Sequence, residues 1–243
     1  MRIRHVTLAP GEKNICVSLM SETWALLLEE IRSLPLKKID ILEWRVDQYR
    51  DKDDMEAITE TLRLLRQEIK EIPLIFTYRE QTKEHEDVCF HLYEHVLQED
   101  GIDFIDLEQS YPVEKIRELV TQAHQKGVFV IVSHHDFVGT PDREWIGHYV
   151  KRAVDLGADV VKLAVTATTP EEVLRLWKTT YLLSRANEVP LMTMAMGHLG
   201  RFSRIGGHIF GSCATFASGQ RCSAPGQLPV ADVYRLYQML ADE

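Results

Sequence analysis

The chain has 243 residues, 37 acidic against 28 basic, a formal net charge of −9, and 45% hydrophobic and 27% charged residues. That mixture excludes disordered, collagenous and repeat-biased classes. The acidic excess, with no Lys/Arg-rich run, argues against a nucleic-acid partner, because neutralising phosphates needs clustered cations.

Met1–Pro10 threads Arg2, Arg4 and His5 through a weak alternation without an apolar core, so it reads as a short strand or hairpin and not as a signal peptide. Eight apolar, β-branched runs follow: Ile15–Leu19, Ile39–Leu42, Leu74–Thr77, Ile102–Leu107, Val128–Val132, Val160–Ala164, Leu191–Met194 and roughly Cys213–Phe216. They are near-continuous, as strands buried on both faces should be. Amphipathic stretches separate them. The first opens at Ser21, an N-cap residue type, and Met55–Glu68 places Ile58, Leu62 and Leu65 at helical spacing. Asp87–Gln98, Pro112–Lys126 before Gly127, Pro141–Leu156 before Gly157, a stretch from Pro170, and Val230–Leu240 complete the helices. Between Met194 and Cys213 only a glycine-rich stretch carrying Arg201 and Arg204 is read.

Alternating strands and helices predict one domain over residues 1–243, a single (β/α)8 barrel whose floor the N-terminal segment closes. An open doubly wound sheet would show a glycine-rich turn after its first strand, and Leu19 is followed by Met20-Ser21-Glu22. No apolar run approaches the roughly 20 residues of a membrane span. Cys16, Cys89, Cys213 and Cys222 form no C-x-x-C pair and read as reduced thiols, which implies a cytoplasmic protein.

Catalytic groups in a barrel collect at the strand ends. Lys162 interrupts an apolar strand and shares its face with Val160 and Ala164. A desolvated lysine disfavours its charged form, and the free amine attacks carbonyls; a lysine snorkelling to water is the bland alternative. His135 ends the preceding strand, where an imidazole can carry protons, whereas His134 must point the other way if the strand persists. Arg45, Arg79 and Arg204 arrive at one rim with Ser223 and Gln227, a set suited to a carboxylate and several hydroxyls. The alternative is that each arginine serves an ordinary ion pair, and Glu43 is placed to hold Arg45. His91-Leu-Tyr-Glu94-His95 fits the H-x-x-E-H pattern of zinc proteases, but without a third ligand it reads as one face of a helix, and no metal is expected.

The runs Ile41-Leu-Glu-Trp-Arg-Val-Asp47, Phe76-Thr-Tyr-Arg79, Ser133-His-His-Asp-Phe137, Val161-Lys-Leu-Ala164, Ser203-Arg-Ile-Gly206, Phe210-Gly-Ser-Cys-Ala-Thr-Phe216 and Ser223-Ala-Pro-Gly-Gln227 closely resemble type I 3-dehydroquinate dehydratases, in order and over nearly the whole chain. The resemblance implies a (β/α)8 barrel that dehydrates 3-dehydroquinate in the shikimate pathway through a lysine imine, without metal or organic cofactor, as a homodimer. It assigns the imine to Lys162 and proton transfer to His135. It assigns substrate contacts to Ser18, Glu43, Trp44, Arg45, Arg79, Arg204, Ser223 and Gln227, with Met194, Met196 and Phe216 lining the site. Two departures stand out. The segment Glu80–Glu86 lacks the family's glycine pair and offers Glu84 or Glu86 as the carboxylate supporting His135. Thr166–Thr169 lacks a methionine–proline pair. Another lysine-imine barrel, such as an aldolase, would share Lys162 without the Arg204 and Ser223–Gln227 set. A catalytically silent barrel would be expected to have lost Lys162 or His135.

Overall fold

A computed structural model describes residues 1–79 and 86–240. Strands β1 (Arg2–Ile3) and β2 (Val6–Thr7) form an antiparallel hairpin. Eight parallel strands follow: β3 (Asn14–Leu19), β4 (Ile41–Arg45), β5 (Leu74–Thr77), β6 (Phe104–Glu108), β7 (Phe129–His135), β8 (Val160–Thr166), β9 (Leu191–Met196) and β10 (Ala214–Ala217). Each pairs with the next in the chain, and β10 pairs with β3. The helices are α1 (Trp24–Ser33), α2 (Met55–Ile69), α3 (Glu86–Val96), α4 (Val113–Gln125), α5 (Arg143–Asp155), α6 (Pro170–Ala186), α7 (Gly197–Gly206) and α8 (Val230–Met239). The result is a (β/α)8 barrel.

The barrel closes unevenly. Between β9 and β10, among the described residues, the backbone join is one parallel bridge, Leu191 to Ser212, with Cys213 N donating to Leu191 O at 2.8 Å. The Ser212 hydroxyl extends the join, accepting from Thr193 N at 3.0 Å and approaching Thr193 O at 3.3 Å.

Strand alternation sorts side chains into two cores. Outward residues such as Val17, Leu42, Trp44, Phe76, Val132 and Leu163 pack with the helices' apolar stripes, including Leu27, Ile58, Leu62 and Ile116. Inward, each strand contributes one apolar residue near the floor: Cys16, Ile41, Ile75, Phe104, Ile131, Val160, Met192 and Ala214, capped by Ile3, Val6 and Leu8. Two residues further along, the inward positions become Ser18, Glu43, Thr77, Asp106, Ser133, Lys162, Met194 and Phe216. This largely polar second ring lies beneath the cavity.

Two local features differ from the sequence reading. The α1 N-cap is Thr23, whose hydroxyl accepts from Leu26 N, while Ser21 donates to the buried Glu30 at 2.8 Å. β7 ends at His135, as its sequence implies, with both histidines in the strand. The glycine-rich stretch after β9 is a helix, α7, because Gly200 lets it press against β9. A Cβ at Gly200 would lie 2.3 Å from Ala195 O, a contact that outweighs glycine's helix penalty of ~1 kcal/mol.

Candidate active site

A cavity opens at the carboxyl ends of the strands, lined by Glu43, Arg45, Arg79, His135, Phe137, Lys162, Ala164, Met194, Met196, Arg204, Phe216, Ser223, Ala224, Pro225 and Gln227. At its base the Lys162 ammonium donates to Asp106 Oδ2 at 2.8 Å and Glu43 Oε1 at 3.3 Å. It lies 4.4 Å from the centre of the Phe216 ring. Lys162 is 4% exposed, which removes the snorkelling alternative. Glu43 also accepts from Ser18 Oγ at 2.5 Å and Thr77 Oγ1 at 3.0 Å.

His135 is oriented by a residue to which the sequence reading gave no role. Its Nδ1 meets Glu108 Oε2 at 2.9 Å, and its backbone N–H donates to Glu108 Oε1 at 3.1 Å. Among the described residues Nε2 has no hydrogen-bond partner. Among the described residues, Glu108 is the carboxylate that supports the histidine. Residues 80–85, Glu84 among them, and the side chain of Glu86 lie outside the described residues. The signal that could have found Glu108 is Asp106-Leu-Glu108: two carboxylates two apart share one strand face. His134, on the other face of β7, packs between the rings of Trp145 and Tyr149 at 5.1 and 5.5 Å.

The three rim arginines are not equivalent. Arg79 lies against Asp106 Oδ1 at 2.8 Å, donates to Glu108, and reaches Ser133 Oγ at 2.9 Å. Arg45 forks onto Asp47 at 2.9 and 2.8 Å. Both line the cavity but are already paired with carboxylates. Arg204 is 1% exposed, with Nη1 donating to Phe216 O at 3.2 Å and Nε without a partner; among the described residues no carboxylate pairs with it. Of the three, it is the one whose charge no carboxylate among the described residues offsets, which leaves it to an incoming anion. The 223–227 turn is prearranged. Ser223 N donates to Gln227 Oε1 and Gln227 Nε2 to Ser223 Oγ, both at 2.8 Å, and Ser223 Oγ lies 3.0 Å from Ser18 Oγ.

Trp44 must be corrected as a substrate contact. It alternates with Glu43 and Arg45, so its side chain points out of the barrel, fully buried against Tyr49 and Phe76 at 5.6 Å. On α3, His95 Nε2 is bound to Thr59 Oγ1 at 2.8 Å. No group of three His, Cys, Asp or Glu placed to hold a metal occurs among the described residues.

Burial opposes ionisation of Asp106, yet Arg79 and Lys162, with the hydrogen bonds from Lys162 and Ser133, hold it far below the usual carboxylate range. Burial likewise opposes ionisation of Glu43 and Glu108 but is outweighed by Lys162 and Arg45 at Glu43, and by Arg79 and His135 at Glu108. Burial, and after it Arg79, pushes the His135 imidazole below its ordinary value despite the opposing pull of Glu108. The histidine thus stands ready to accept a proton near neutral pH.

Fold and site together define a class: a (β/α)8 barrel with one lysine at the base of a polar cavity at the carboxyl ends of its strands. The model of the family described as Type I 3-dehydroquinase matches residues 15–243. The 3-dehydroquinate dehydratase of Alkaliphilus oremlandii (strain OhILAs) is 36% identical over 99% of this chain and 96% of its own. The type I 3-dehydroquinate dehydratase of Clostridium difficile, solved with covalently modified comenic acid, superposes with a TM-score of 0.92 at 33% identity, covering 99% of this chain and 96% of that one. The Geobacillus kaustophilus 3-dehydroquinate dehydratase gives 0.89 at 34% identity, over 99% and 95% of the two chains. The chain belongs to the type I 3-dehydroquinase family. Membership removes the aldolase alternative.

Proposed function

We propose that this chain dehydrates 3-dehydroquinate to 3-dehydroshikimate through an imine on Lys162, with His135 as proton carrier and Arg204 as anchor for the substrate carboxylate. The observation that carries this reading is the pairing at the cavity base: a buried lysine, and a histidine whose Nδ1 is occupied and whose Nε2 has no partner among the described residues. The Lys162 ammonium gives a proton to His135, the free amine adds to the substrate ketone, and His135 returns that proton as the carbinolamine oxygen leaves as water, so the imine forms protonated. A protonated imine draws electrons from the adjacent carbon, so His135 can take the α-proton. The enamine then expels the β-hydroxyl, which receives its proton from His135, and hydrolysis of the imine releases the enone and restores Lys162. Asp106, Glu43 and the Phe216 face surround Lys162 and favour the imine cation over its neutral form. Arg204, Ser223 and Gln227 hold the ring in register, and such positioning can contribute roughly 7–11 kcal/mol of the barrier in well-oriented reactions. The covalently modified comenic acid in the Clostridium difficile structure supports a covalent reading.

The chain is further proposed to work as a homodimer in the cytoplasm, within the shikimate pathway. Four free cysteines support the compartment, and the exposed apolar strip of Leu174, Tyr181 and Ile209 supports self-contact, which sedimentation would measure. An ultraviolet assay for the conjugated enone tests the reaction, and borohydride trapping tests the route. Borohydride should inactivate only with substrate present and leave one adduct on Lys162. Lys162→Ala should lose labelling and turnover together. An adduct on another lysine, or normal turnover by Lys162→Ala, would sink the imine assignment.

A further inference from the structure

Among the described residues, each basic group lining the cavity but one is fixed by a carboxylate. Arg45 forks onto Asp47, Arg79 lies between Asp106 and Glu108, Lys162 donates to Asp106 and Glu43, and the His135 ring meets Glu108. The Arg204 side chain has the Phe216 carbonyl, 3.2 Å from Nη1, and no carboxylate. A guanidinium held so lightly stands where its own backbone puts it. Its place therefore depends on how α7 is fixed.

The start of α7 is tied to its neighbours beside the cavity. Gly197 N donates to Pro225 O at 3.2 Å, Gly200 seats against Ala195, and Ser203 Oγ accepts from Ala195 N at 2.7 Å. Arg204 lies in the last turn, where the carbonyls of a helix run out of intrahelical donors. There the tie comes from outside the cavity. Tyr237 on α8 is buried, takes no part in the cavity wall, and donates its hydroxyl to Arg204 O at 3.1 Å. Among the described residues it is the hydrogen bond that joins α7 to α8. His208, in the 3-10 turn Gly207–Phe210 that continues α7, packs edge-on against the Tyr237 ring, centres 4.9 Å apart at 70°. Ring and hydroxyl thus grip the chain on either side of Gly206–Gly207. Burial, and after it Asp40, pushes the phenol well above its ordinary value, so the hydroxyl remains a donor at neutral pH.

We propose that Tyr237 is a positioning residue for substrate binding: its hydroxyl, bonded to the Arg204 main chain, sets where the Arg204 guanidinium meets the substrate carboxylate. The hydroxyl touches no reacting atom. It acts on the last turn of α7, and through that turn on an arginine that no carboxylate orients. Removing it leaves a buried carbonyl short of a donor; the turn shifts to find another, and the guanidinium moves with it. Ground state and transition state use the carboxylate anchor alike, so the loss falls on KM. The kinetic part rests on Arg204 being the anchor proposed above; the hold on α7 does not.

The test compares Tyr237→Phe, which keeps the ring against His208, with Tyr49→Phe, which loses a buried phenol bonded to Thr61 of α2 at 2.9 Å. Enone formation gives kcat and KM, and amide hydrogen exchange reports on α7. In Tyr237→Phe, KM should rise on the order of tenfold with kcat within about twofold of the parent. Amides in the last turn of α7 should exchange several-fold faster, while those at its start keep the parental rate. Tyr49→Phe should change neither readout. In an Arg204→Ala background, Tyr237→Phe should add little to KM, because both act through one contact. Parental exchange in the last turn, an unchanged KM, a loss confined to kcat, or the same rise in KM with and without Arg204 would overturn the proposal. A parent chain that forms no enone, or Arg204→Ala with parental kcat/KM, would instead overturn the dehydratase reading or the part Arg204 plays in it, while exchange reports separately on Tyr237.

Discussion

Arg204 and Arg79 line the same cavity, and kinetics should separate them. Arg204 is without a carboxylate, so Arg204→Ala removes a contact made to the ligand and leaves the rest of the site in place. The expected loss in kcat/KM is about 2–4 kcal/mol, with Tm little changed; an unchanged kcat/KM would remove Arg204 from the site. Arg79→Ala instead strips the cation from two buried carboxylates, which should cost about 3–5 kcal/mol of stability, measurable by urea unfolding. His135 supplies a pH test. Its imidazole is held below 6.5 by burial and Arg79, so the acid limb of kcat/KM should lie below pH 6.5. Glu108→Gln removes the group that pulls that value upward, so the limb should move to still lower pH as kcat falls. A limb that rises or stays would show that Glu108 does not orient His135. Lys162 and His135 stood out in the sequence because each is chemically conspicuous in an apolar strand. Glu108 did not, because its partnership depends on β6 and β7 registering Glu108 beside Ser133, two residues before His135.

Two elements meet where the turn at 223–227 lands on the start of α7. Gly226 has φ +84°, and a Cβ there would lie 2.3 Å from Gly197 O. Gly226→Ala should therefore displace the turn, and with it Ser223 and Gln227, lowering kcat/KM while thermal unfolding of the barrel stays close to the parent. A variant with parental kinetics would show that the turn tolerates displacement. All eight barrel strands were legible because a strand covered on both faces is a continuous apolar run. α7 was not, since Gly197, Gly200, Gly206 and the polar residues between them look like a loop. The contacts that make it a helix are long-range in effect: the close seat of Gly200, and the Ser203 hydroxyl accepting from Ala195 N at 2.7 Å. The Trp44 assignment failed for the converse reason. A motif names neighbours in sequence, and alternation sends adjacent side chains to opposite faces.

Across the whole molecule, the carboxylates of the second inward ring, with Glu108 and Asp47 beyond it, tie folding to ionisation. Asp106, Glu43, Glu108 and Asp47 are all held below their ordinary values by buried or half-buried cations. Depressed carboxylates contribute stability that is fully present above their unfolded values near 4 and lost as pH falls through the lower folded values. Urea midpoints should therefore fall steadily below about pH 4, and a midpoint that does not fall would contradict the network. The barrel as a class was readable from the order of runs alone. Its uneven closure was not, because nothing in the Leu191–Met194 or Cys213–Phe216 runs says that a serine hydroxyl will stand in for part of a ladder.

That closure also bears on what the cavity can admit. Met194 and Met196 stand on β9 and Phe216 on β10, so two adjoining stretches of the wall belong to the two strands with the weakest join. Elsewhere around the ring, ladder bonds fix the spacing between neighbours. Here the width is set by one bridge, one hydroxyl and the seating of α7, which makes the barrel a cylinder with a single compliant edge. Amide protons along that edge should exchange with solvent before those of β6, β7 and β8, and Ser212→Ala should accelerate the exchange there without touching the far side. An inhibitor with a substituent too broad for the cavity as it stands would gain room by parting β9 from β10, and its affinity should rise in Ser212→Ala while that of compact ligands does not.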